Sequence, residues 1–402
     1  MRFQLTEDQK ALRTGMRELL ARRFDGTALR ATAEEPRLDR ALWRELGAAG
    51  FFALRVPEAG GGVGLGLPEA VLLFEEAGRA LLPGPLVATH LAAGTVPGAA
   101  SGEAVVTDVD SGGLIEWLSE ADVVHGDATG AVPLRSVDPL TPLHRIPAVG
   151  GGRDRAGLAS NQRVGQDSSG RPGGRGEESF GRLPATGPSP TPGSSSAAAP
   201  GSAFLAAGGS GSAVVSGSSS VEAAGSSSAA TPGRSSEGAP GRPSATTPAR
   251  GPSPSGLPGV RALRFGDPVA VLLTAAEQLG TAMRVCELAV QHAGAREQFG
   301  QPIGAFQAVK HLCAQMLVRA ETARAAVYAA AVTADPVDVA AARLLADEAA
   351  ERGARDCLQV HGGMGFTWEC EVQLHLKRAW VRARRAGGGA ESEELLAVDL
   401  LA

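Results

Sequence analysis

The 402-residue chain has few aromatic residues, which make up 4 % of it and include a single tyrosine. Glycine and proline, by contrast, number 54 and 26. Length alone allows about two or three domains, but this composition leaves a large part of the chain without apolar side chains to bury. We therefore expect only part of the chain to form a packed core.

An excess of charge of one sign is also lacking. The formal net charge of −5 gives no electrostatic argument for nucleic acid as a partner. We find no run of about 18 apolar residues to span a bilayer. The N-terminal sequence MRFQLTEDQK lacks the basic and then apolar layout of a signal peptide. These features predict a cytoplasmic protein without a membrane span.

The four cysteines are scattered through the last third of the chain and form no C-x-x-C pair. A zinc site needs ligands clustered at short spacing, and a disulfide framework is typical of small secreted chains. Neither pattern is present. We therefore expect no metal site, and reduced thiols that are mostly buried.

The first region, residues 1–98, has a helical pattern. Thr6 and Gln9 form a capping box before a stripe of apolar residues. Asp39 is placed to cap a second helix. The glycine-rich loop VPEAGGGVGLGLPEA (56–70) leads to Pro68 in the first turn of a further helix, a position that suits proline. This region is predicted to be an N-terminal helical domain.

Residues 99–148 contain short strand-like pieces, EAVVTDV, ADVVHGD and AVPLRSV, bounded by Gly, Asp and Pro. They predict a small sheet, a reduced β segment rather than a large barrel. Residues 149–260 are rich in Gly, Ser, Pro, Ala and Arg, and ordering them would cost roughly 1–2 kcal/mol each in backbone entropy. This segment is predicted to be disordered, and an out-of-frame gene model is the alternative; intact mass with peptide coverage distinguishes the two.

The last region, 261–402, returns to a helical pattern. Long helices are predicted over 268–296, 306–333, 337–360 and 368–385. Many of their residues are alanines, which allow close approach, so an antiparallel four-helix bundle is the simplest architecture. The fold class is therefore mainly α.

Three stretches carry a family resemblance: AREQFGQPIGAFQAVKHLCAQM (295–316), QVHGGMGFTWE (359–369) and LWRELGAAGFFALRVPEAGGGVGLG (42–66). They resemble the flavin-dependent acyl-CoA dehydrogenases, which have an R-x-x-F-G element, a glutamine eleven residues after its arginine, a Q-x-x-G-G-x-G element and a P-E-x-x-G-G-x-G loop. The resemblance covers the helical regions, covers the β segment poorly and does not reach the low-complexity segment. It implies FAD as cofactor.

The resemblance also implies cofactor-binding residues. Arg296 would reach the pyrophosphate of an FAD bound mainly by a neighbouring subunit, a task that suits a permanently charged fork of donors. An arginine near a helix C-terminus can also simply complement the helix dipole. Gln307 and Gln359 would face the same dinucleotide. Phe299 is predicted to be a core residue with a minor role as a wall of the groove.

The glycine pair of the third element, Gly362 and Gly363, has two interpretations. It can form a helix C-cap. By resemblance, it lets the backbone approach the adenosine half of FAD, where a Cβ would collide. Because these elements serve a partner's flavin, the resemblance implies an oligomer.

The catalytic glutamate of the family is missing from both of its usual positions. Counting from the glycine motif leads to Ala386, and counting back from the arginine motif leads to Ala270. Asp267 is the nearest substitute, although a helix N-cap is its simpler role. Glu277 is on the face of Ala270 but about 10 Å further along the helix. Glu391 follows three glycines that would let it swing inward.

Three functions are therefore compatible with the sequence. The first is a base-less subunit of a heteromeric acyl-CoA dehydrogenase that acts on fatty acyl or steroid side-chain thioesters. The second is a self-sufficient dehydrogenase with an unusual base, and the third is a structural protein that retains only the helices. The family implies acyl-CoA, an electron-transfer flavoprotein and another acyl-CoA dehydrogenase subunit as partners.

Overall fold

A computed structural model describes residues 4–147 and 266–401, and the predicted low-complexity segment lies outside the described residues. Five helices form the N-terminal part: α1 (Glu7–Arg23), α2 (Gly26–Glu34), α3 (Arg40–Ala48), α4 (Leu67–Arg79) and α5 (Leu86–Ala92). The described residues all fall within one compact unit. The predicted domain boundaries within that unit stay predictions.

Side-chain caps determine where the first helices begin. The Thr6 hydroxyl accepts the Gln9 N–H at 3.2 Å, and the Gln9 side chain accepts the Thr6 N–H at 3.1 Å, which confirms the capping box. Asp39 caps α3 as predicted. Asp25 caps α2 in the same way, so this unpredicted short helix also begins at a residue type that favours helix N-termini.

The β segment forms two small sheets. Its strands are β1 (Val106–Asp108), β2 (Leu114–Glu116), β3 (Val123–His125), β4 (Val132–Leu134) and β5 (Leu143–Arg145). The pair β1–β3 is parallel, and β5 lies between β2 and β4 in an antiparallel sheet. The predicted strand-like pieces contain β1, β3 and β4, whereas β2 and β5 were not predicted.

The C-terminal part consists of α6 (Pro268–Ala295), α7 (Gln307–Thr333), α8 (Pro336–His361), α9 (Val372–Arg382) and α10 (Gly388–Leu401). The helices α6, α7 and α8 pack on one another, and α9 packs on α6 and α8. The predicted bundle is therefore present. The helix α9 is shorter than predicted, and α10 is an additional helix. A hairpin of β6 (Glu297–Gln298) and β7 (Gln301–Pro302) connects α6 to α7.

The helix α6 is the centre of the structure. Among the described residues it is the one helix long and apolar enough to cross a bilayer, but 78 % of its apolar window is buried inside the fold. Such burial is what a central core helix requires, and length and composition alone are weak evidence for a span.

Two glycines let α4 cross α6 with their backbones in contact. A Cβ at Gly78 would lie 2.0 Å from the carbonyl oxygen of Glu277, and a Cβ at Gly280 would lie 1.9 Å from that of Glu75. No side chain larger than hydrogen fits at this crossing. The contact places the N-terminal helices against the bundle and brings Glu277 toward the β segment.

Candidate functional site

The arginine motif forms a tight hairpin at the end of α6. Arg296 ends the helix, donating its backbone N–H to the His292 carbonyl at 2.8 Å. The turn between β6 and β7 consists of Phe299 and Gly300, with φ of 54° and 77°. Two positive φ values in a row are the requirement of a type I′ hairpin turn, which matches the twist of the strands.

The structure corrects the prediction that Phe299 is a core residue. Its side chain is 91 % exposed at the tip of the hairpin, and it contacts Phe306 edge to face with ring centroids 6.1 Å apart. A non-glycine residue in the left-handed region is uncommon. The helical spacing of apolar residues does not extend into this hairpin, so apolarity alone was a poor guide to burial.

The glycine motif follows α8 directly. Gly362 ends the helix with φ of 62° and donates its N–H back to α8, so the predicted C-cap is present. Residues Gly362–Phe366 form a 3₁₀ turn. A Cβ at Gly362 or Gly363 would meet no atom within 4 Å. The backbone of this turn is therefore open to an approaching molecule.

The side chains of the three polar residues of the motifs are exposed. Arg296 ends α6, Gln307 begins α7 and Gln359 lies in the last turn of α8. Within residues 4–147 and 266–401, none of these side chains has a hydrogen-bond or ion-pair partner. We call the set of Arg296, Phe299, Gln307, Gln359, Gly362 and Gly363 the end face.

The end face fits the dinucleotide half of FAD. It offers a free guanidinium, two free amides and an open glycine backbone, the groups that suit a pyrophosphate and an adenosine. The Met364, Phe366 and Trp368 side chains beside it are 45 %, 69 % and 61 % exposed. Exposed apolar side chains grouped around polar ones are typical of an interaction surface.

The two positions expected to hold the catalytic glutamate lie at one cavity. Ala270 on α6 and Ala386 after α9 both line it, although they were located by counting from different motifs. The cavity has a volume of about 50 Å³, which leaves room for roughly three or four water molecules. Ligand pockets usually have several hundred Å³, so this cavity is smaller than a typical ligand pocket.

Buried ion pairs fill the space around this cavity. Arg378, Arg382 and Arg385 lie on one face of α9 and its extension, at helical spacing. Arg378 pairs with Asp138, and Arg382 donates to Glu277 at 2.7 Å.

Arg385 anchors the first two strands. Its guanidinium contacts Asp108 at 3.3 Å, Asp110 at 3.1 Å and Glu116 at 3.7 Å. The β segment is thereby held to the chain just after α9 through charged groups. Within the described residues, Nη1 of Arg382 is buried without a hydrogen-bond partner.

Glu116 is the titratable group of this cavity that the sequence did not reveal. Burial raises its pKa to about 7, and Glu277 and Asp108 raise it too, whereas Arg385 lowers it. Burial also lowers the pKa of Arg382 to about 10. A carboxyl with a pKa near neutrality inside a cleft is a candidate functional group.

The other carboxylates considered as bases are engaged elsewhere. Asp267 accepts the Val269 N–H at 2.9 Å and does not line the cavity, which is the N-cap role. Glu277 lines the cavity despite its distance from Ala270 along the helix, but Arg382 holds its carboxylate. Glu391 accepts from the Ser111 hydroxyl at 3.0 Å.

The thiols are free, as expected. Cys286 and Cys357 are buried, and Cys313 and Cys370 are half-buried. Burial raises the pKa of Cys286 to about 11, so it is a poor nucleophile. In the described parts of the chain, no three potential metal ligands lie together.

The spacing of three arginines is a sequence signal for the cavity. The arginines of RAWVRARR (378–385) recur at spacings of four and three, which places them on one helical face. Because α9 packs against the centre of the bundle, the arginines on this face are buried and not exposed to solvent. The carboxylates come from elements distant in sequence, so their meeting could not be predicted.

Comparison with family models agrees with the two helical parts. The model described as "Acyl-CoA dehydrogenase, N-terminal domain" matches residues 6–104, and "Acyl-CoA dehydrogenase, C-terminal domain" matches residues 270–397. The acyl-CoA dehydrogenase IpdE2 of Mycobacterium tuberculosis is 30 % identical over 381 residues, which are 93 % of this chain and 91 % of that relative.

Solved structures share the fold. The ChsE4-ChsE5 complex from Mycobacterium tuberculosis superposes with a TM-score of 0.61 at 19 % identity, covering 100 % of this chain and 99 % of that one. A variant of the Tcur3481-Tcur3483 steroid ACAD gives 0.62 at 21 % identity, covering 98 % of each chain. At these identities the likeness concerns the fold alone.

Proposed function

The chain belongs to the acyl-CoA dehydrogenase family, and we propose that it acts there as a subunit that completes the FAD site of a base-bearing partner. Members of this family are oxidoreductases that act on CH–CH bonds, and FAD accepts the hydride from the acyl β-carbon when a glutamate removes the α-proton. The observation that supports a partner role is the contrast between the exposed end face and the small cavity lined by charged side chains.

The end face would bind the cofactor held by the partner. Arg296 would neutralise the pyrophosphate, Gln307 and Gln359 would donate to the dinucleotide, and Gly362 and Gly363 would let it lie against the backbone. These tasks need no base and no acyl pocket of this chain. Because a cofactor with two negative charges gains charge-assisted hydrogen bonds here, it would also hold the two subunits together.

The small, charged cavity argues against turnover within this chain. A base must be within hydrogen-bond reach of the proton it takes, and alanines stand at both family positions. The surrounding space of about 50 Å³ is lined by arginines and carboxylates. The chain would therefore keep the fold of a dehydrogenase subunit, while the ion pairs around its own cavity would connect α9 to the β segment.

The substrate would be bound by the partner. Two structural neighbours are named for heteromeric complexes, and one of these is described as a steroid ACAD. We infer a bulky acyl-CoA such as a steroid side-chain thioester, electron transfer to an electron-transfer flavoprotein, and action in the cytoplasm.

A self-sufficient dehydrogenase is the second candidate, and Glu116 is the observation that favours it. Its pKa of about 7 is suited to a general base. Its position 3.7 Å from Arg385, in a cavity of only about 50 Å³, opposes it. If the isolated chain turns over acyl-CoA, Glu116→Gln should abolish the activity, whereas Asp267→Asn, which keeps an N-cap, should not.

Co-expression with the base-bearing dehydrogenase from the same gene neighbourhood tests the proposal. We expect flavin in the co-purified complex, and enoyl-CoA formation only there. Arg296→Gln should weaken FAD binding by about 10- to 100-fold, the loss of a hydrogen bond to a charged group. Arg30→Gln, which removes an exposed arginine on α2, is the matched control. Flavin and activity in the isolated chain would contradict a partner role.

A further inference from the structure

A pair of stacked histidines joins the two motifs of the end face. The rings of His292 and His361 lie with centroids 4.1 Å apart and planes 19° from parallel. His292 is one turn before Arg296 on α6, and its carbonyl accepts the Arg296 N–H. His361 is the last residue of α8 and directly precedes Gly362. The stack is thus a side-chain contact between the ends of two helices that carry separate motifs.

We propose that the His292–His361 stack positions the arginine motif against the glycine motif and makes FAD retention by the complex pH-dependent. This inference rests on the proposed function. The stack itself does not need to touch the cofactor. It would act through Arg296 and Gly362, whose spacing it sets, so both histidines are positioning residues.

The hydrogen bonding of His361 determines its tautomer. Nδ1 of His361 lies 2.8 Å from the Cys357 carbonyl oxygen. Because a carbonyl only accepts, Nδ1 carries the hydrogen in the neutral ring, and Nε2 has the free lone pair. This hydrogen bond fixes the orientation of the His361 ring at the end of α8.

The surroundings of His292 oppose its protonation. Burial lowers the pKa of His292 below 6.5, and His361 and Arg296 lower it further. An imidazolium at His292 would be repelled by the guanidinium of Arg296. A histidine with a lowered pKa binds fewer protons when folded, so the stability of the stack is present above pH 6.5 and is lost as the pH falls below it.

Other titratable groups near the pair do not balance this charge. The adjoining 3₁₀ turns, Ile303–Ala305 and Gly362–Phe366, contain no titratable side chain. Lys310 and His311 in the first turns of α7 are exposed. Burial raises the pKa of the thiols Cys286, Cys313 and Cys357 in the same cluster, so they carry no charge in this pH range. No carboxylate of the described chain is among the groups that shift His292.

The test is FAD affinity of the co-purified complex between pH 8 and 5.5, followed by flavin fluorescence on release. We expect wild type to bind FAD about tenfold more weakly at pH 5.5. His292→Phe keeps a flat ring without a titratable group, so its affinity should change less than twofold. His311→Gln is the matched control and should keep the wild-type pH dependence. A pH-independent wild type, or a His292→Phe complex with the wild-type dependence, would overturn the proposal.

A second measurement separates this inference from the proposed function. Hydrogen exchange of residues 297–302 and 362–366 is measured on the isolated chain at pH 8 and 5.5, corrected for the intrinsic exchange rate. Wild type should exchange faster at the lower pH, and His292→Phe should not. A complex that binds no FAD at pH 8 contradicts the proposed function, whereas equal exchange in wild type and variant contradicts the role of the stack.

Discussion

The ion pair of Arg382 and Glu277 gives the sharpest prediction for the cavity. The two side chains are 7 % and 8 % exposed, and their atoms are 2.7 Å apart. Removing one partner of a buried pair leaves an uncompensated charge and typically costs about 3–5 kcal/mol. We therefore expect Arg382→Met to lower the free energy of unfolding by about that amount.

The double variant should behave differently. With Glu277→Leu added, no charge is left unpaired, and the stability should return to within about 1 kcal/mol of wild type or exceed it. For a folded unit larger than 150 residues, a loss of about 3–5 kcal/mol lowers Tm by about 6–20 °C. The exposed pair Arg37–Glu35, also 2.7 Å apart, is the control, and Arg37→Met should cost less than about 1 kcal/mol.

Thermal unfolding followed by circular dichroism, with urea unfolding as a second method, measures both variants. The reasoning would be refuted if Arg382→Met cost no more than Arg37→Met. It would also be refuted if the double variant lost as much as the two single variants together, because the pair would then have no coupling.

Four further predictions concern the cavity and the helix crossing. Because the folded pKa of Glu116 is raised to about 7, wild type should lose stability relative to Glu116→Gln as the pH rises from about 4.5 to 7, by about 3 kcal/mol; parallel urea curves across this range would contradict it. Ala386 has φ of 53°, so Ala386→Gly should raise the free energy of unfolding by about 0.5–1 kcal/mol in the same assay. Ala386→Glu should give no enoyl-CoA formation by the isolated chain. Gly280→Ala should cost about 1–3 kcal/mol by forcing α4 from α6, and an unchanged Tm would contradict the backbone contact.

Much of the helical fold was predictable, because local signals specify it. The Thr6 capping box, the Asp39 cap and the proline at the start of α6 all lie where helices begin. Apolar spacing then identified the long bundle helices to within a few residues. The short strands β2 and β5 have only three residues each. An alternating pattern cannot be recognised in so few residues.

The sequence predicts candidate positions for the site but not which side chains surround the cavity. Counting from two motifs located Ala270 and Ala386, and the structure places both at one cavity. The side chains around the cavity come together through contacts between residues distant in sequence, such as Arg385 with Glu116. No local sequence pattern specifies these contacts. Phe299 was misassigned because an apolar residue at a hairpin tip resembles a core residue in sequence alone.

The most direct test of the account removes the base from the partner. The complex is prepared with the partner's catalytic glutamate replaced by glutamine, and both bound FAD and enoyl-CoA formation are measured. The account predicts full FAD occupancy and no turnover, because this chain contributes Arg296 and the rest of the end face and no base. Turnover that persists in this complex would contradict it.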